Sequence, residues 1–266
     1  MNRAILLLLV SLSFTAAARA DDAPPKRLLL LGQGPDGHPP TTHEYMAGQK
    51  ILKACLERAP DLKVEIESAD EPWTDGPDRL AKADGVVLFL SEGAKWCQAD
   101  PRRYDALTRL AARGGAIAGL HWGIGAKDAR YVDGFQKLLG GCHGGPDRRY
   151  AVVEETLQIA DPKHPIAAGL TALRVRDEFY YRLKLIQDDA LTPIITVPIE
   201  GHNETVAWAW QRPDGGRSFG FSGLHFHDNW RHPVYRRLVA QGALWTLKLP
   251  VPADGLNVDL PKELLP

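Results

Sequence analysis

The chain is poor in sulfur. It has three cysteines, Cys55, Cys97 and Cys142, and two methionines in 266 residues. Three cysteines make no disulfide framework, so the fold must rest on a hydrophobic core. An oxidising compartment would allow one pair to close, with no sequence signal for which one, and Cys55 reads as a small core residue on a helix face. Charge of one sign is lacking too: 32 Lys+Arg stand against 33 Asp+Glu, a formal charge of −1. With no basic block, nucleic acid is not an expected partner. Beyond the first twenty residues there is no apolar run long enough to span a bilayer. With 44% hydrophobic and 24% charged residues, the composition is that of a globular protein, which excludes collagen-like, disordered and coiled-coil classes.

The first twenty residues stand apart. Arg3 precedes an apolar run from Ala4 to Phe14, and Ala18-Arg19-Ala20 forms a small-residue cleavage signature before Asp21-Asp22. Residues 1–20 therefore read as a secretory signal peptide. The expected location is periplasmic or extracellular, with no stable membrane insertion after cleavage. No cysteine sits at the cleavage point, which argues against a lipid anchor. Loss of Arg3 and Arg19 takes the formal charge from −1 to −3.

Leu28–Leu31, Val86–Leu90 and Ala116–Leu120 are continuous apolar runs, the pattern of strands buried on both faces. Amphipathic segments over Thr42–Arg58 and from Pro101 onward separate them, and Leu62–Glu67 alternates like a short strand. Strands alternating with helices predict a mostly parallel α/β sheet with helices on both faces. Past Tyr150 the pattern changes. Val206–Trp210 and Phe219–Leu224 flank Pro213-Asp214-Gly215-Gly216, which predicts an antiparallel C-terminal addition. A helix is expected from Pro233 to about Leu247, and residues 249–266 read as a Pro-containing tail. Residues 26–248 form the expected domain.

Gly32-Gln33-Gly34-Pro35-Asp36-Gly37 follows the first strand in the spacing of a dinucleotide fingerprint. However, His38-Pro39-Pro40 follows it directly, where the fingerprint needs a helix to open. No acidic residue sits at a second strand end about 20 residues on, and Glu67 comes too late. No nucleotide cofactor is expected, and the glycines read as a loop leading to His38, His43 and Glu44.

Gly119-Leu120-His121-Trp122-Gly123 has the spacing of a nucleophile elbow, in which small residues allow a tight turn that exposes the central side chain at the strand end. The central residue here is His121. Imidazole suits proton transfer or metal ligation better than acyl transfer. The competing reading is a packed histidine. His225 and His227 follow another strand, share one face if that strand continues, and have Asp228 beside them. The competing reading is a polar loop. Strand C-termini in a parallel sheet form one rim, so His43, His121, His225 and His227 are candidate ligands of one divalent metal, zinc first. A metal-free acid/base site fits the same residues. Glu178 and Asp228 are candidate carboxylates beside His121 in catalysis. Trp122, Tyr180 and Trp230 are candidates for packing against a carbohydrate. Cys142 beside His143 reads as structural or incidental.

Several of these stretches together resemble the ThuA-like (trehalose-utilisation) family. They are Gly37–Tyr45, Gly119-Leu120-His121, His164-Pro165-Ile166 with Gly169-Leu170, Asp177–Tyr180, and Thr205–Trp208 leading into Gly223-Leu224-His225. The resemblance implies a flavodoxin-like fold similar to class I glutamine amidotransferases, and a role in carbohydrate metabolism, on a sugar or an oxidised (keto) glycoside. Glutaminases of that fold carry cysteine at the elbow. Here His121 stands in its place, so glutaminase chemistry is not expected, and His225 or His227 falls near the position of the triad histidine. The expectation is a metal-assisted or acid/base lyase, isomerase or hydrolase whose partner is a small carbohydrate. The alternative is a non-catalytic carbohydrate-binding protein. Homo-oligomerisation is left open.

Overall fold

A computed structural model describes residues 24–266. The expected signal peptide lies outside the described residues. The chain opens with β1 (Lys26–Gly32), α1 (Tyr45–Leu56), β2 (Leu62–Ser68), α2 (Gly76–Lys82) and β3 (Gly85–Phe89). There follow α3 (Gly93–Ala99), α4 (Pro101–Ala112), β4 (Ala116–Leu120), the two-residue β5 (Gly125–Ala126), α5 (Val132–Leu139) and β6 (Gly141–Gly144). The second half is mostly strand: β7 (Arg149–Ile159), β8 (Leu173–Tyr181), β9 (Lys184–Leu185), β10 (Leu191–Ile199), β11 (His202–Gln211) and β12 (Arg217–Phe221), closed by α6 (Pro233–Thr246).

Nine strands form one sheet in the order β2-β1-β3-β4-β12-β11-β10-β7-β8. The first five run parallel, in the 2-1-3-4-5 order of flavodoxin-like sheets. The last four attach antiparallel. Helices α1 and α6 pack together on one face, and α3, α4 and α5 pack together on the other. Burial on both faces explains the unbroken apolar runs. Leu28 to Leu31, Val86 to Phe89 and Ile117 are all almost without solvent exposure. Pro101 starts α4, where the Asp100 side chain accepts a hydrogen bond from the backbone N–H of Arg102.

The fold departs from the sequence expectations in three places. The first helix begins at Tyr45, not Thr42, because Thr41 and His43 hold positive φ of 68° and 53° and His43 N–H donates to the His225 carbonyl at 3.1 Å. The antiparallel addition is larger than one hairpin, since β7, β8 and β10 join it. The last parallel strand ends at Phe221. His225 lies in a loop and His227 opens a 3₁₀ turn, His227–Arg231, so the two imidazoles do not share a strand face. The tail is anchored, with Leu256 N–H donating to Gln241 Oε1 (2.7 Å) and Arg236 Nε to the Val258 carbonyl (3.0 Å). Cys55, Cys97 and Cys142 are free and buried, and burial pushes each thiol up to about 12. Among the described residues no helix is long and apolar enough to cross a membrane.

Candidate functional site

Three loops leave the carboxyl ends of parallel strands and meet. The loop after β1 carries Asp36, His38 and His43, the turn after β4 carries His121, and the loop after β12 carries His225. His121 adopts φ 45°, a left-handed conformation costly for a residue with a Cβ, at the start of a one-turn 3₁₀ segment. Gly123 makes this turn feasible: a Cβ there would collide with the Leu88 carbonyl, so only glycine lets the turn lie against β3.

Three ring nitrogens form a triangle. His43 Nε2 is 3.0 Å from His121 Nε2 and 3.0 Å from His225 Nδ1, which is 3.2 Å from His121 Nε2. The outer nitrogens of two rings are fixed by their partners. His43 Nδ1–H donates to Asp36 Oδ2 at 2.9 Å, and the same oxygen accepts from the Tyr45 hydroxyl at 2.7 Å. His121 Nδ1–H donates to the Ser222 carbonyl at 2.8 Å. Assigned from these partners, both protons sit on Nδ1, so the two Nε2 lone pairs face each other. Burial holds all three histidines below their ordinary value: His121 well below it, with His43 and His225 adding repulsion, and His225 at about 4. They are neutral imidazoles at pH 7. Burial works against ionisation of Asp36, yet the donors from His43, Tyr45 and His38 outweigh it and keep its carboxyl well below the usual carboxylate range.

Glu178 Oε1 stands 3.6 Å from His225 Nδ1 and 4.0 Å from His121 Nε2. Burial, then the neighbouring Asp177, pushes its carboxyl up to about 7. The Tyr180 hydroxyl lies 3.1 Å from His121 Nε2, and its ring stacks on His143 with centroids 3.8 Å apart. Asp177 is fully buried and ties the His225 loop to β8. It accepts from Leu224 N–H (2.7 Å), His225 N–H (3.1 Å), Glu178 N–H (2.9 Å) and the Tyr235 hydroxyl (3.0 Å). Leu224 has φ 77°, and the Asp177 bond holds that strained residue in place.

A cavity of about 300 Å³ opens onto this cluster, with His43, His225, Glu178, Tyr180, Trp122 and His143 in its wall. His43, His121, His225, Glu178, Tyr180 and Trp122 are thus brought together. Three other sequence candidates are not. His227 faces a different hollow, beside Lys50 and Glu263. Asp228 points to solvent and pairs with Arg231 at 3.5 Å. Trp230 is fully buried under α1, with its ring 6.3 Å from that of Phe89. The 3₁₀ turn explains all three, since strand alternation ceases before residue 227. Asp36 and His143 are the residues that sequence reasoning missed. Asp36 lay inside the glycine motif, two residues before His38, and that spacing was its only signal. His143 stands out in the sequence only as the neighbour of Cys142, because its stacking on Tyr180, 37 positions away, leaves no local pattern.

The fold and this cluster define a flavodoxin-like α/β chain with a three-histidine centre, two of its imidazoles buried and that of His225 half-buried, at the carboxyl rim of its sheet. The family model described as ThuA, trehalose utilisation, matches residues 36–246, and the chain belongs to that family. Membership points to a role in carbohydrate metabolism. No curated protein matches the chain. Among solved structures, a ThuA-like protein from Bacteroides uniformis is similar at 14% identity and TM-score 0.65, covering 88% of this chain and 95% of that one. A cytoplasmic protein from Salmonella typhimurium aligns at 15% identity and TM-score 0.59, over 83% of this chain and 98% of that one. A cold-adapted β-galactosidase from Rahnella sp. R3 aligns at 10% identity and TM-score 0.52, over 85% of this chain and 32% of that one. At these identities the likeness is one of fold.

Proposed function

We propose that this chain is an exported carbohydrate-active enzyme, acting on a sugar or keto-glycoside, with a divalent metal held by His43, His121 and His225. The observation that carries the reading is the pair of Nε2 lone pairs facing each other at 3.0 Å. Neutral imidazoles locked in these tautomers cannot hydrogen-bond one another, and a shared cation removes the conflict. The donor set fits zinc. Three nitrogens at ~2.0–2.1 Å from one tetrahedral centre stand roughly 3.3 Å apart, a few tenths of an ångström beyond the triangle here. The Asp36 carboxylate behind His43 and the Ser222 carbonyl behind His121 are the outer hydrogen bonds that orient metal-bound histidines.

A divalent ion at this place supplies a Lewis acid for a sugar carbonyl or hydroxyl oxygen. The chain's own groups do the rest. Glu178, at the cavity edge beside His225, takes a proton from a substrate carbon or hydroxyl and returns it. The Tyr180 hydroxyl donates a hydrogen bond to a developing oxyanion. Trp122 and Tyr180 wall the cavity and limit water.

The test is product formation from a panel of sugars and keto-glycosides, followed by NMR, with wild type, Glu178→Gln and His121→Ala. Turnover that falls at least about 100-fold in Glu178→Gln, with the melting temperature within a few degrees of wild type, is the expected result. Sugar binding with no product under any condition would support the non-catalytic binding protein instead.

A further inference from the structure

The cavity has a charged side that the histidines do not explain. Lys127, on the loop after β5, and Arg148, just before β7, both line it. Glu178 is the one acid in the same wall. Among the described residues neither cation forms an ion pair. Lys127 is fixed through its backbone, whose N–H donates to Glu92 Oε2 at 3.0 Å, and its side chain is left exposed. Arg148 uses one donor, Nη1, on the Gly145 carbonyl at 3.1 Å, and its other donors are unused. The nearest acid in sequence, Asp147, is taken by Lys184 at 2.7 Å. Asp36 is taken by His38, His43 and Tyr45. The cavity thus sets the imidazoles of His43, His143 and His225 beside two cations that form no ion pair, with Glu178 as its one carboxyl group. Tyr150, 59% exposed, extends the same wall as an apolar face for a sugar ring.

We infer that the cavity takes a carboxylate-bearing sugar, with the carboxylate on Arg148 and Lys127 and the hydroxyls toward the histidine cluster. Guanidinium is suited to this, since its planar fork matches a carboxylate with two parallel hydrogen bonds. A neutral hexose would leave the free guanidinium donors of Arg148 without an acceptor of opposite charge. The inference deepens the carbohydrate reading proposed above and rests on it for the sugar, but not for the metal.

The test is calorimetric titration of full-length mature protein with D-glucuronate, D-glucose and acetate, on wild type, Arg148→Gln and Lys127→Gln, with metal content measured on each sample. Glucuronate is expected to bind at least about tenfold tighter than glucose or acetate, the worth of one charge-assisted bond. Arg148→Gln should remove most of that preference, Lys127→Gln part of it, and both should leave metal content and glucose affinity unchanged. Equal affinity for glucuronate and glucose, no binding of glucuronate, or a preference that survives Arg148→Gln overturns the inference. Acetate binding as tightly as glucuronate also overturns it, because the sugar body would then contribute nothing. A metal-free protein that retains the glucuronate preference fails the metal reading and leaves this one standing.

Discussion

Asp36→Asn isolates what the carboxylate contributes to the histidine centre. In the wild type Asp36 Oδ2 receives the His43 Nδ1 proton at 2.9 Å and the Tyr45 hydroxyl at 2.7 Å, while Oδ1 faces His38 Nδ1 at 2.7 Å. Asparagine has the same shape. Its carbonyl can keep the bonds from His43 and Tyr45, with its amide turned toward His38, which is partly solvated. The substitution keeps the shape but removes a charge that the folded state favours and turns the amide toward the His38 N–H, so the fold should lose about 1.5–3 kcal/mol, the worth of a hydrogen bond to a charged group. Metal affinity should fall as well. A carboxylate behind a ligating histidine raises its basicity and fixes its tautomer, and its loss typically costs 10–100-fold in affinity. That corresponds to roughly 1.4–2.8 kcal/mol. Competition for zinc between the protein and a chromogenic chelator measures it, with urea unfolding of the apoprotein alongside. Affinity within twofold of wild type would refute the reasoning, because His43 would then present its lone pair without help from Asp36.

Two further predictions concern the frame around the site. Asp177→Ala orphans the N–H groups of Leu224 and His225 and the Tyr235 hydroxyl in the interior. At ~1–3 kcal/mol for each unsatisfied group, urea unfolding should show a loss of about 3 kcal/mol or more, and a loss under 1 kcal/mol would mean that water or a shifted loop replaces the carboxylate. His143 is held at about 3, chiefly by burial and then by Arg148 and Lys184. The unfolded chain takes up its proton near pH 6.5, the folded chain only near 3. Stability from this group is thus complete above pH 6.5 and is lost as the pH falls towards 3, at about 1.4 kcal/mol per unit. Urea midpoints of wild type and His143→Gln across pH 7 to 4 should converge as the pH falls, and parallel curves would show that His143 does not titrate in this way.

The parallel half of the fold is legible because its strands are buried on both faces. Leu28–Leu31, Val86–Leu90 and Ala116–Leu120 are the expected runs, and β1, β3 and β4 carry them in the expected order, with β3 closing at Phe89. β7 and β8 are harder to see. The outer face of β7 mixes Tyr150 and Val152 with Glu154, while its inner face is only half-buried, so alternation is weak. Convergence of His43, His121 and His225 follows from strand ends alone, since the carboxyl rim of a parallel sheet gathers its loops. The fate of His227, Asp228 and Trp230 does not follow, because it depends on where one strand stops. Phe221 ends that strand, and Asp177, 44 residues earlier, holds the loop that comes next. A contact of that separation leaves no periodicity in the sequence.

The central claim is that the imidazoles of His43, His121 and His225 share a cation. Elemental analysis of the mature protein, purified without a histidine tag and desalted after incubation with zinc, tests it most directly beside His121→Ala. The account predicts close to one divalent ion per chain in the wild type and none retained in the folded variant. A folded wild type that retains no ion would contradict it and leave His43, His121 and His225 as a metal-free proton-transfer cluster.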